Sequence, residues 1–185
     1  MGWHHGVQAP DGNTYSWYEQ DRDNSCACAC IAMMAKAMQN RTLDEQVIRS
    51  WCGRAEGAVN KSKEGVRDYD NIGTQLDIIG TVLSEYLRVT TLPLANDAGI
   101  LRILRQARPA KPVLTGVYWY TQTPGQPPVW LGGHAVLAMN FANNRVTFLD
   151  PGYGVYMVDE GDLNAYEINY GNGLSTGVIG AVRGH

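Results

Sequence analysis

The sequence predicts an α+β fold, with helices in its first part packed on an antiparallel sheet in its second. Three observations predict it. The stretch from Ser25 to Met38 is apolar or small almost throughout, with Lys36 its one charge, which marks a buried helix. Beyond Pro112 the helical spacing gives way to short apolar runs punctuated by Gly, Pro and Asn. Helices come first and strands second, an order that argues against alternating βαβ units.

Composition narrows the class further. The chain has 185 residues, 44% apolar and 18% charged, enough apolar side chain for a core and a length that fits one domain over 1–185. A formal charge of −3 lacks the basic footprint of a nucleic-acid binder. No apolar run approaches the roughly 18 residues that a membrane span needs, so no membrane partner is expected. Met1 to Asp23 has neither a basic start nor an apolar stretch, so nothing there resembles a secretion signal. A cytoplasmic protein is expected.

In chain order, residues 1–24 have no hydrophobic period and read as an extended arm. The helix over Ser25–Met38 carries Ala27, Ile31, Met34 and Met38 on one stripe, with Asn24 or Ser25 as its N-cap. Thr42 opens T-L-D-E, a capping box in which Glu45 reaches back, for a helix ending near Cys52 with Gly53 beyond. Residues 54–71 are charged and Gly-punctuated, and read as a mobile loop. Thr74–Tyr86 places Leu76, Ile79, Val82, Leu83 and Tyr86 at helical spacing. A short strand follows over Arg88–Leu92, and Asn96 caps a helix with Ile100, Leu101, Ile103 and Leu104 facing inward. Strands are expected at Val113–Trp119, His134–Phe141, Arg145–Leu149, Gly154–Val158 and Val178–Arg183. Asn143-Asn144 should form a tight hairpin, because Asn tolerates the left-handed conformation such turns demand.

Four cysteines stand at 26, 28, 30 and 52. Three alternate within five residues, where no comfortable disulfide pairing exists on one helix, so the set reads as reduced thiols. C-x-C-x-C lacks the second ligand pair of a structural zinc site, and the four histidines are scattered. No metal or cofactor is expected.

One of these thiols has a special place. Cys26 lies in the first turn of a buried helix, where N–H groups and the helix dipole favour an anion, hence a reactive thiolate. His134 follows Gly132-Gly133, where backbone can approach a ligand closely, and Asp150 closes the next strand sixteen residues on. A hairpin between those strands would set a base beside the group that orients it. Gln20, six residues before Cys26, offers an amide donor that could form an oxyanion hole with the Cys26 N–H. Each residue singly has a blander reading, as core histidine, turn aspartate, loop glutamine or packing cysteine.

Taken together, Q-D-R-D-N-S-C-A-C-A-C-I-A-M-M, G-G-H-A-V-L-A-M-N-F and F-L-D-P resemble the papain-like cysteine peptidases. The branch most similar is the bacteriocin-processing peptidases that cleave double-glycine leaders. The resemblance covers Gln20 to about Val158. It implies a papain-like fold with Cys26 as nucleophile, His134 as general base and acid, Asp150 as orienter and Gln20 as oxyanion donor. It also implies cleavage of a protein or peptide after small residues, Gly-Gly above all. Trp130, Leu131, Gly132 and Gly133, just before His134, would line the substrate groove, and the Ala27 methyl, where the family usually has glycine, would narrow it. Ser25 stands where an acidic residue is common. Similarity to papain-like bacterial toxin domains further implies delivery into a target cell and a cognate immunity protein. Two other classes use the same residues: an acyl-transfer enzyme (deamidase, transglutaminase or cell-wall amidase) and a non-catalytic peptide-binding module.

Overall fold

A computed structural model describes residues 1–59, 74, 76–90, 97–121, 129–163, 172–181 and 183–184. Strands β1 (Gly2–Gln8) and β2 (Thr14–Glu19) lead into helices α1 (Cys26–Gln39), α2 (Glu45–Val59) and α3 (Leu76–Leu87). Strand β3 (Val89–Thr90) and helix α4 (Asp97–Leu104) precede β4 (Val113–Thr121), β5 (Val129–Ala142), β6 (Arg145–Asp150) and β7 (Gly154–Asp159). A 3-10 turn at Glu160–Asp162 is followed by β8 (Asn172–Ala181) and β9 (Arg183–Gly184). This is the α+β arrangement that the order of sequence patterns predicts.

Five strands form an antiparallel sheet in the order β7-β6-β5-β4-β8, and β3 pairs with β9 apart from it. Apolar side chains cover both faces, which is why β5 reads as an unbroken apolar run. Ala135, Leu137 and Met139 join the core shared with α1, α2, α3 and the β1–β2 pair. Val136 and Ala138 join a second core with Phe148, Val158 and the α4 residues Ile103 and Leu104. Helix α1 runs through the first core with Ala27 to Ala35 all buried, as its lack of charge predicts. The Asn143-Asn144 hairpin forms, both residues left-handed at φ 52° and 59°.

Several boundaries differ from expectation, each for a physical reason. The N-terminal arm is a β-hairpin, with Trp3 opposite Tyr18 and His4 opposite Trp17. Its register slips between His4 and Val7, where Gly6 adopts φ +71°, and that bulge breaks the period-two pattern that would have announced a strand. Asp11 at its tip accepts hydrogen bonds from Thr147 Oγ1 (2.8 Å) and Asn140 Nδ2 (3.1 Å), pinning the hairpin to the sheet.

Helix α2 does not stop at Cys52 but continues through Gly53 to Val59, so 54–59 are helical rather than loop. Its inward face, Ile48, Trp51, Cys52 and Ala55, keeps helical spacing across the glycine. Burying that face outweighs the roughly 1 kcal/mol that an interior glycine costs. Residues 60–71 lie outside the described residues, as do the Asn96 cap and residues 91–92. The capping box also fails to form. Glu45 opens α2 but turns its carboxylate to Asp21 N and Ser25 Oγ, not to Thr42. Strand β5 begins at Val129, so His134 lies within it rather than at its start, and the expected Val178–Arg183 strand is divided between β8 and β9.

Candidate active site

Ser25 is the N-cap of α1, yet its hydroxyl does not cap the helix. It lies instead 2.7 Å from Arg22 O and 2.8 Å from Glu45 Oε2. Cys26 follows at the first helical position, half-buried, where its N–H has no intrahelical acceptor. Its Sγ accepts from Ala135 N at 3.4 Å on β5 and hydrogen-bonds the adjacent His134 ring. A chain segment 109 residues away in sequence thus meets the helix start at the sulfur.

His134 Nε2 stands 2.8 Å from Asp150 Oδ1, both side chains being almost wholly buried. The β5–β6 hairpin produces this contact: Leu137 pairs with Leu149, so the residue that ends β6 arrives beside the histidine. Burial by itself would depress the imidazole pKa. Hydrogen bonds to Asp150 and Cys26, and the charges behind them, outweigh burial and push it up to about 10. The ring is therefore protonated at neutral pH, and a protonated ring beside sulfur is the partner a thiolate needs.

Asp150 is itself held on every side. Gly152 N donates to Oδ1 at 2.9 Å, Tyr156 OH donates to Oδ2 at 3.0 Å, and the Trp17 indole N–H donates to its carbonyl at 2.7 Å. Sequence reasoning missed Tyr156 and Trp17. A signal for Tyr156 existed: Asp150 pairs with Gly154 across the D-P-G-Y turn, which puts residue 156 diagonally across on the same face. Trp17 had none, because its reach to Asp150 spans 133 residues. Tyr153 was missed as well. It is 60% exposed and sets its ring edge-on to His134, with centroids 6.5 Å apart.

Gln20 reaches the same place from the hairpin. Its backbone N–H donates to Pro151 O at 3.0 Å. The position a Cβ on Gly152 would occupy lies 3.9 Å from Gln20 Oε1, 3.6 Å from Asp150 Oδ1 and 4.0 Å from His134 Cε1. Gln20 Nε2 donates to Arg22 O at 2.7 Å, so one of its two amide hydrogens is engaged and one remains. Cys26, His134, Asp150 and Gln20 are thus brought together.

The expected groove residues are placed differently. Ala27 packs into the core at 3% exposure, so its methyl does not project into an open groove. Gly132 and Gly133 do not interrupt the strand; they pair with Trp119 and Tyr118 of β4. Gly133 is exposed, and a Cβ there would meet open space. The side chains of Trp130 and Leu131 lie outside the described residues.

All four cysteines are free thiols. Burial, with the neighbouring charge of Cys26, pushes the fully buried Cys30 up. Donation to Cys52, with burial, does the same to Cys28. Among the described residues no cluster of three or more His, Cys, Asp or Glu side chains is arranged to hold a metal ion. No described helix is long and apolar enough to cross a membrane.

No protein-family model and no curated protein matches the chain. A solved structure does: a Bacillus anthracis protein described as a C39-like peptidase, at TM-score 0.51 and 14% identity, covering 91% of this chain and 94% of that one. The fold is that of a C39-like peptidase. At this identity the likeness concerns the fold, and the chemistry must be argued from the residues themselves.

Proposed function

We propose that this protein is a thiol peptidase. The single observation that carries the reading is the meeting of a helix-start thiol with a buried, protonated His134 that Asp150 orients. Cys26 thiolate attacks a peptide carbonyl carbon, and the carbonyl electron pair moves onto oxygen. The Cys26 N–H and the second Gln20 Nε2 hydrogen stabilise that oxyanion. His134 gives its proton to the departing amine as the C–N bond breaks, leaving a thioester on Cys26. The ring, now neutral, takes a proton from water, whose oxygen attacks the thioester, and the released thiolate is again paired with imidazolium. Asp150 keeps the ring in one orientation throughout, because Gly152, Tyr156 and Trp17 fix it in turn.

The substrate is a protein or peptide cut after small residues, Gly-Gly foremost. The sequence resemblance motivates that choice. Action inside a target cell, restrained by a cognate immunity protein, follows from the same resemblance. The test compares a proteome incubated with the protein and with its Cys26→Ala form, reading new N-termini. N-termini that follow Gly-Gly, in the wild-type sample alone, are expected. Identical N-termini in both samples would overturn the peptidase reading, whereas cuts after large side chains would overturn only the specificity.

A further inference from the structure

We propose that Glu45 is a positioning residue for the oxyanion site, acting through Ser25 and the turn between Gln20 and Cys26; this rests on the peptidase reading above. Glu45 is a carboxylate with 1% exposure, and the catalytic steps make no direct use of it. A buried carboxylate is costly unless every oxygen is matched by a donor, and here each is. Oε1 accepts from Arg49 Nε at 2.8 Å, one helical turn along α2. Oε2 accepts from Asp21 N at 2.8 Å and from Ser25 Oγ at 2.8 Å.

Those donors flank the proposed oxyanion groups. Asp21 adjoins Gln20, and Ser25 adjoins Cys26. Between them, Ser25 Oγ accepts from Arg22 N at 3.1 Å, and Arg22 O accepts from Gln20 Nε2 at 2.7 Å. Arg49 adds a tie of its own, from Nη2 to Asn24 Oδ1 at 3.2 Å. Tyr18 OH donates to Asp21 Oδ2 at 3.1 Å, closing the turn against the hairpin. One carboxylate from α2 therefore fixes both ends of the turn whose amide and backbone N–H must converge on one oxygen. A hydroxyl at position 25 lets the carboxylate come from another element. Ordered donors that need not reorganise during reaction are what make an oxyanion site effective.

Ser25→Ala removes the Oγ links to Glu45 and to Arg22 and leaves Glu45, Arg49 and Asp21 in place; Glu45→Gln replaces the charge. Two reactions of Cys26 are compared. Alkylation by iodoacetamide displaces iodide at carbon and forms no oxyanion. Addition to a Gly-Gly peptide aldehyde forms a C–S bond while the carbonyl pair moves onto oxygen, which then needs the donors. Both variants should weaken aldehyde affinity roughly tenfold to a hundredfold, with alkylation rates held within about twofold. Equal losses in both reactions, in variants with native circular dichroism, would overturn the proposal, as would unchanged aldehyde affinity in Ser25→Ala. If Glu45→Gln does not fold, Ser25→Ala decides alone. Absence of any aldehyde adduct on wild-type protein would sink the peptidase reading and this inference with it, whereas a wild-type adduct with unaffected variants would sink the inference only.

Discussion

At the scale of single residues, the imidazole of His134 decides most. Its displacement to about 10 has its source in Asp150 and Cys26 acting against burial, so the sign of each substitution follows. Removing the carboxylate takes away a hydrogen-bonded charge that favours the imidazolium and leaves burial unopposed by it. Asp150→Asn should therefore draw the alkaline limb of the kcat/KM profile downward from near pH 10, an outcome read directly from the pH profile. An unmoved limb would show that Asp150 does not tune the ring. His134→Ala should lower kcat/KM by roughly 10²–10⁴-fold, the range expected when a proton-transfer group is lost, and more than Asp150→Asn does. Tyr156→Phe makes a finer probe. It deletes the hydroxyl that donates to Asp150 Oδ2 and keeps the ring, and a hydrogen bond to a buried charge is worth roughly 1.5–3 kcal/mol. Only part of that reaches the reaction, so a loss of kcat of about five- to twentyfold with KM unchanged is expected.

Helix α1 shows how one element sorts chemically identical groups. Cys26, Cys28 and Cys30 share its first turns, but only the first is half-exposed, while Cys28, Cys30 and Cys52 are buried. Alternation in sequence becomes a 200° rotation on a helix, so neighbours in the C-x-C-x-C run meet different surroundings. Cys30, with no solvent contact, is held as neutral thiol by burial, and Cys28 by its hydrogen bond to Cys52 together with burial. Under native conditions alkylation at neutral pH should modify Cys26 alone, with the other three reacting only after denaturation; mass spectrometry of the digests reads the sites. Native-state labelling of Cys28 or Cys30 ahead of Cys26 would contradict this account. The β1–β2 hairpin is the second informative element. It carries Gln20 at its end and Trp17 on its face, so what reads as a featureless arm delivers two contacts to the site.

For the whole molecule, a raised imidazole pKa makes folding depend on pH. Between about 6.5 and about 10 the folded chain holds a proton on His134 that the unfolded chain has released. Stability from this group is complete below the lower value and is lost as pH rises through the upper one. So that the His134 proton alone is counted, the test uses Cys26→Ala: its urea unfolding from pH 6 to pH 10 should show a decline that adding His134→Gln flattens. Parallel declines in the two proteins would show that the proton on this ring does not contribute.

The sequence alone determined the class of fold and the order of its parts, because these rest on local periodicity and on turn residues. The uncharged run of α1 dictated its burial, and Asn143-Asn144 dictated the hairpin that carries His134 toward Asp150. The four residues Gln20, Cys26, His134 and Asp150 could be named from type and spacing, since a thiol at a helix start and a His–Asp pair across a hairpin are local arrangements. Tertiary structure decided the rest. A bulge at Gly6 hid a hairpin, and the inward face of α2 overrode a glycine that local preference reads as a stop. Ala27 turned inward because the core, not its neighbour in sequence, claims that side of α1. Glu45 fits a local capping box, yet three donors from distant or buried groups offer a carboxylate more than one helix-end N–H can. Such choices are made by competition among partners far apart in sequence, and periodicity carries no record of them.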